Sequence, residues 1–185
     1  MLQLLIVDDS REDLILAQHV LAQCKLLNPI SLFHNANEFI SHVEATRQVG
    51  PCERPEPALI FLDLIMAPMT GLDVLSYLQR SLYARHCAVV MMSGLKDVKS
   101  VREGYQLGAK TFLLKPMTAR DVLEVLNGLN DCISIEDVGT GYRLDWKGHV
   151  RNAEERLQKA SGTRLIREGS ALEPVSTLNL ARVAS

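Results

Sequence analysis

The chain has 185 residues, of which 47% are hydrophobic and 23% charged, and its formal net charge is −2. That balance gives no electrostatic basis for wrapping nucleic acid or lying on an anionic membrane, and no apolar run approaches the roughly 18 residues that span a bilayer. No basic stretch opens the chain, Asp8 and Asp9 interrupt its first apolar run, and Cys24, Cys52, Cys87 and Cys132 form no zinc-type pair, so no signal peptide is expected and reduced thiols in a cytoplasmic protein are.

In chain order, residues 2–7 (LQLLIV) read as a short strand ending in Asp-Asp-Ser, a sequence able to cap a helix. From Leu14 to about Cys24 apolar residues recur every three or four positions, as on an amphipathic helix, and Asn28-Pro29 breaks the pattern. Ile30 to Phe33 reads as a strand and residues 36–48 as a helix with Phe39, Ile40 and Val43 on one face. A Pro-rich connector (49–57) leads to Ala58–Leu62, a continuous apolar run of the kind buried on both faces, which ends at Asp63. A helix follows Gly71. Cys87 to Met92 is the next buried strand and ends at Ser93-Gly94. Residues 97–107 read as a helix, Thr111 to Leu114 as a strand ending at Lys115-Pro116, and 119–129 as a helix capped by Thr118.

Strand and helix thus alternate five times. Such alternation implies an α/β fold, a doubly wound parallel sheet with right-handed crossovers and helices on both faces. In these sheets functional groups gather at the carboxyl ends of the strands. The polar residues at those ends are Asp8, Asp9, Asp63, Ser93 and Lys115. Singly, each has an ordinary reading: an Asp-Asp pair caps a helix, an aspartate closes a turn, Lys-Pro ends a strand. Together, from four strand ends, they converge on one crevice.

That set suits phosphoryl transfer. The migrating group carries negative charge on three equatorial oxygens, so an attacking carboxylate needs positioning and charge compensation more than covalent chemistry. A hard cation such as Mg²⁺ takes oxygen ligands, which Asp8, Asp9 and Asp63 would supply. Lys115 adds a positive charge for one phosphate oxygen, and the Ser93 hydroxyl donates to another. Asp63 is then the acceptor.

These residues carry a resemblance. The runs LLIVDDS (4–10), LIFLDLIMAPMTG (59–71), VVMMSG (89–94) and GAKTFLLKP (108–116) resemble the receiver domain of response regulators, the family that includes the chemotaxis response regulator. The likeness covers roughly residues 1–130. It implies a flavodoxin-like (βα)5 sheet of strand order 2-1-3-4-5, followed by a C-terminal extension over 131–185. It implies phosphoryl transfer from a sensor histidine kinase to Asp63, and a signal passed to a downstream protein partner by a conformational change. Asp9, Asp63 and the main-chain carbonyl of Ile65 would bind Mg²⁺, with Asp8 assisting. Phe112 takes the position of the aromatic switch residue that follows Ser93, and residues 96–129 offer a possible homodimer face. The protein is not an enzyme on this reading but a phospho-acceptor with slow self-dephosphorylation. The positions two residues past the acceptor and past the switch hydroxyl, Ile65 and Leu95, have no group to orient a water. The Asn28–Ile30 run and the long second connector also resemble receivers that serve phytochrome-type kinases. Two departures stand out: the loop proline is Pro68, after Ala67 where the family commonly has it, and Gly94 replaces a frequent alanine.

Other readings fit less well. An aspartate-nucleophile phosphohydrolase needs a second aspartate two residues after the nucleophile, and position 65 is Ile. A flavodoxin-like cofactor binder needs a hydroxyl- and Gly-rich phosphate loop after the first strand, where Asp8-Asp9 would repel phosphate. A receiver-like scaffold without phosphate chemistry would not require all five site residues. Residues 131–185 hold eight basic and eight acidic residues, a GTG stretch at 139–141 and a helical pattern near 149–160. No basic recognition helix is present, so a stand-alone receiver is expected, with a small output module in 131–185 as the alternative. Trp146 and Tyr142 suggest that the extension docks on the receiver, and a chain ending at 130 is expected to fold.

Overall fold

The computed structural model describes residues 2–47, 56–94 and 98–148. Five strands, β1 (Gln3–Val7), β2 (Ile30–Phe33), β3 (Ala58–Asp63), β4 (Cys87–Ser93) and β5 (Thr111–Leu114), form one parallel sheet in the order β2-β1-β3-β4-β5. Between and after them run α1 (Arg11–Gln23), α2 (Ala36–Arg47), α3 (Gly71–Gln79), α4 (Val98–Gln106) and α5 (Ala119–Gly128), with a 3-10 turn over 82–85. The expected order and alternation are both found.

The two-residue period of a strand explains the two cores. Leu4 and Ile6 of β1, Leu59 and Phe61 of β3, and Ala88, Val90 and Met92 of β4 face one side, where they meet Leu14, Ala17 and Leu21 of α1 and Val122 and Leu126 of α5. Their neighbours Leu5, Val7, Ile60, Leu62, Val89 and Met91 face the other side and meet Phe39 and Val43 of α2 and Val74, Leu75 and Leu78 of α3. Both faces of the central strands are covered, which is why their sequences read as unbroken apolar runs.

Beyond α5 the chain forms an antiparallel hairpin, β6 (Ile133–Asp137) with β7 (Tyr142–Trp146). The sequence reading contained no strands here. The hairpin is packed on the α1–α5 core: Ile133 and Leu144 are buried, and Ile135, Tyr142 and Trp146 lie against the same cluster as Leu2, Leu26 and Leu129. Main-chain bonds fix it to the segment before β2, from Leu27 N–H to the Tyr142 carbonyl (2.9 Å) and from Tyr142 N–H to the Lys25 carbonyl (2.8 Å). Gly141 permits this approach, because a Cβ there would lie 2.4 Å from the Lys25 carbonyl oxygen. The buried Asn28 side chain completes the junction. Its amide donates to the carbonyls of Leu2 and Leu144, and its oxygen accepts the Leu144 N–H, all at 2.8 Å. Through the hairpin the compact unit thus continues beyond α5. The helix expected near 149–160 and most of the 49–57 connector fall outside the described residues.

Candidate functional site

Parallel strands bring their carboxyl ends to one edge, and there the five polar residues of the sequence reading meet. Asp8 follows β1, Asp63 and Ser93 end β3 and β4, and Lys115 follows β5. Asp8 and Asp63 are only 1% and 3% exposed, Ser93 is buried, and Asp9 stands at the open rim. One oxygen from each of Asp8, Asp9 and Asp63 can be chosen so that all lie within 4.8 Å of one another. Lys115 Nζ reaches across the crevice to Asp63 Oδ1 at 2.8 Å and Asp8 Oδ2 at 2.6 Å. A third partner, Asp13 of α1, sits 2.9 Å from the same nitrogen.

Backbone bonds hold the frame. Lys115 N–H donates to the Ser93 carbonyl at 2.9 Å, and Leu64 N–H to the Met92 carbonyl at 2.8 Å. Asp9 Oδ2 accepts the N–H of Ala67 at 3.1 Å, which ties the loop after β3 to the first strand end. Gly71 opens α3 directly against the end of β3: a Cβ there would stand 2.1 Å from the Asp63 carbonyl oxygen. Only the absence of a side chain lets α3 start so close.

The electrostatics follow from burial and crowding. Desolvation pushes the Asp63 carboxyl up to about 6; Lys115 opposes this, and the charges of Asp8 and Asp9 reinforce it. Asp8 is raised as well, again chiefly by burial, against the pull of Lys115 and the Ser10 N–H. For Lys115, burial alone would lower the value, but bonds to Asp63, Asp8 and Asp13 outweigh it and hold the ammonium above its ordinary range. The crevice thus gathers four carboxylates, those of Asp8, Asp9, Asp63 and Asp13, with one ammonium. Asp8 Oδ2 is fully buried and has no hydrogen bond of good geometry, the ion pair with Lys115 being its compensation. A hard divalent cation fits this donor set: all oxygen, net negative, and containing an under-satisfied buried oxygen.

Two further expected residues flank the strand ends in different settings. Ile65 lies in the loop two residues past Asp63, with its side chain 56% exposed. The Phe112 ring is partly buried, tilted against the Tyr105 ring at 5.2 Å, and fills the space over Gly104, where a Cβ would come within 2.5 Å of it. At Gly94 a Cβ would meet nothing within 4 Å, so the glycine leaves open space beside Ser93. Leu95 lies outside the described residues. Asp13 was missed by the sequence reading because Ser10-Arg-Glu-Asp13 has the form of an ordinary capping sequence.

An open sheet of order 2-1-3-4-5 with an acidic, lysine-bearing crevice at its carboxyl edge defines the flavodoxin-like class, with carboxylates where a nucleotide binder keeps its phosphate loop. Within that class the model of the response regulator receiver domain matches residues 4–127, more than half of the chain, and the chain belongs to that family of two-component response regulators. It is 30% identical to the chemotaxis protein CheY of Listeria monocytogenes, over 68% of this chain and 96% of that one. It is 28% identical to the two-component response regulator ARR3 of Arabidopsis thaliana, over 76% of this chain but 61% of ARR3. A probable cyclic di-GMP phosphodiesterase of Vibrio cholerae is 24% identical, and the match spans 23% of its length. Among solved structures, the bacteriophytochrome response regulator AtBRR is 27% identical with a TM-score of 0.57, covering 69% of this chain and 91% of that one. The bacteriophytochrome response regulator RtBRR shares the fold with a TM-score of 0.62 at 22% identity, over 88% of this chain and 92% of that one. No helix among the described residues is long and apolar enough to cross a membrane.

Proposed function

We propose that Asp63 is the phospho-acceptor of this response regulator and that a sensor histidine kinase is the donor. The observation that carries the reading is the buried Asp63 carboxylate held 2.8 Å from Lys115 Nζ, inside the three-aspartate cluster. In the transfer, an Asp63 oxygen forms a bond to phosphorus as the bond from phosphorus to the kinase histidine nitrogen breaks. The nitrogen keeps the electron pair, and Asp63 becomes an acyl phosphate. Lys115 and the Ser93 hydroxyl bind phosphoryl oxygens. Asp9, Asp63 and the Ile65 carbonyl, with Asp8 assisting, would hold Mg²⁺. When bound, that ion supplies positive charge against the equatorial oxygens.

Phosphate on Asp63 would draw Ser93 inward and let Phe112 follow, a two-state element biased by a local charge. Val98 and Leu114 are exposed, which supports use of the expected 96–129 region by a downstream protein or a second copy. The chain acts as a slowly self-dephosphorylating acceptor in the cytoplasm rather than as a turnover enzyme. The 27% identity to the bacteriophytochrome response regulator AtBRR supports a phytochrome-type kinase as donor. The test is direct: with Mg²⁺ and acetyl phosphate the protein should gain one phosphoryl group, Asp63→Asn should gain none, and EDTA should stop labelling. Equal labelling of Asp63→Asn would refute the assignment.

A further inference from the structure

Three helices open with the same sequence signal, a hydroxyl residue followed three positions later by aspartate: Ser10 and Asp13 in α1, Thr70 and Asp73 in α3, Thr118 and Asp121 in α5. In each, the hydroxyl accepts the N–H of that aspartate. In α3 and α5 the aspartate returns the bond, accepting the N–H of Thr70 at 2.9 Å and of Thr118 at 3.0 Å. Helix α1 departs from the pattern. Its Ser10 N–H goes to Asp8 Oδ1 at 3.0 Å, and Asp13 Oδ2 instead accepts from Lys115 Nζ at 2.9 Å, 102 residues away in sequence. Asp13 is thereby released from the capping task of its position and turned toward the crevice.

An ammonium has three donors and no acceptor. Lys115 has three carboxylates to serve, of Asp8, Asp13 and Asp63. Asp8 and Asp63 belong to the acidic cluster, and Asp13 does not. A phosphoryl oxygen arriving at Asp63 must compete with these three carboxylates for the ammonium, and Asp13, which accepts a hydrogen bond from it, is the partner outside the acidic cluster. We propose that Asp13 is a positioning residue that holds Lys115 back in the unphosphorylated protein and slows the charging of Asp63. The inference rests on the reading of Asp63 as acceptor. Two effects act in the same direction: Asp13 shares the ammonium, and its negative charge opposes the incoming anion. Its side chain is 40% exposed, so the effect is that of a partly screened ion pair, about two- to fivefold in rate.

Initial labelling rates with Mg²⁺ and acetyl phosphate should be compared for the full-length parent, Asp13→Asn, Asp13→Ser, Asp13→Glu and Asp63→Asn. Both neutral variants should label about two- to fivefold faster, and Asp13→Glu should return near the parent rate. The gain should shrink as salt is raised. In metal-free protein the Lys115 side-chain nitrogen resonance should move in Asp13→Asn and Asp13→Ser and stay near its parent position in Asp13→Glu. Neutral variants that label at the parent rate or more slowly overturn the inference, as does an unmoved Lys115 resonance. Labelling of Asp63→Asn would instead sink the acceptor assignment, so the two failures are told apart.

Discussion

Replacing Asn28 with alanine tests whether the hairpin is part of the folding unit. The Asn28 side chain is 4% exposed and makes three hydrogen bonds of 2.8 Å, two to carbonyls and one from an N–H. Alanine removes all three and leaves the main-chain groups of Leu2 and Leu144 without that partner in a buried setting. At about 1 kcal/mol net per bond, with more for any group that water cannot reach, the loss is about 2–4 kcal/mol. With a urea slope of roughly 2 kcal/mol/M, that moves the unfolding midpoint down by about 1–2 M. A chain ending at 130 should lose more, because Leu2, Leu26 and Leu129 would also lose the cover of Ile133 and Leu144. Urea unfolding followed by circular dichroism, on the parent, Asn28→Ala and the truncated chain, gives the comparison. Acetyl-phosphate labelling of folded Asn28→Ala should match the parent, since Asn28 bonds to Leu2 at the amino end of β1 and Asp63 lies at the carboxyl end of β3. A midpoint shift below about 0.3 M for both changes would refute the claim that the hairpin is integral, being worth under ~1 kcal/mol at that slope.

Two other outcomes are expected. Without metal, Asp63 has a folded-state value of about 6 against an ordinary 3.8, so the native state holds this proton more tightly than the unfolded chain does. Stability from this group is then fully present below pH 3.8 and is lost as pH rises toward 6, by about 2–3 kcal/mol; Asp63→Asn should remove that slope and raise the melting temperature at pH 7.5, and a lower one would contradict it. The acyl phosphate should persist well beyond minutes, because Ile65 has no polar group to orient an attacking water; Ile65→Asn or Ile65→Glu should shorten its half-life on the order of tenfold, and a parent half-life of seconds, read from loss of label, would refute the argument.

The sheet and the charged crevice were legible because each depends on local signals. Leu59–Leu62 can be so continuously apolar only with both faces covered, and Asp8, Asp63, Ser93 and Lys115 mark strand ends simply by ending apolar runs. Asp13 was illegible for the opposite reason. Its sequence context is shared with Asp73 and Asp121, and what separates them is that Asp8 takes the Ser10 N–H, a fact of the folded loop. The hairpin was half legible. Ile133 and Ile135 alternate, as do Tyr142, Leu144 and Trp146, but each strand is only five residues, and what anchors β7 is the segment before β2, more than 100 positions away.

The two ends of the sheet divide the physical tasks. At the carboxyl end, Asp8 and Asp63 are buried with one ammonium among several carboxylates, and both are pushed toward the neutral form. That arrangement is unfavourable in the resting protein and useful only when further positive charge arrives. At the amino end, Asn28 is equally buried but neutral and bonded through both its amide and its oxygen, and the hairpin adds apolar cover around it. A charged crevice that weakens the metal-free fold can be sustained where the rest of the sheet is over-determined. Here both faces are packed and the far end is closed. Metal binding at the acidic cluster should therefore raise the melting temperature of the parent more than that of Asp63→Asn, since the variant has already lost the charge that the ion would neutralise.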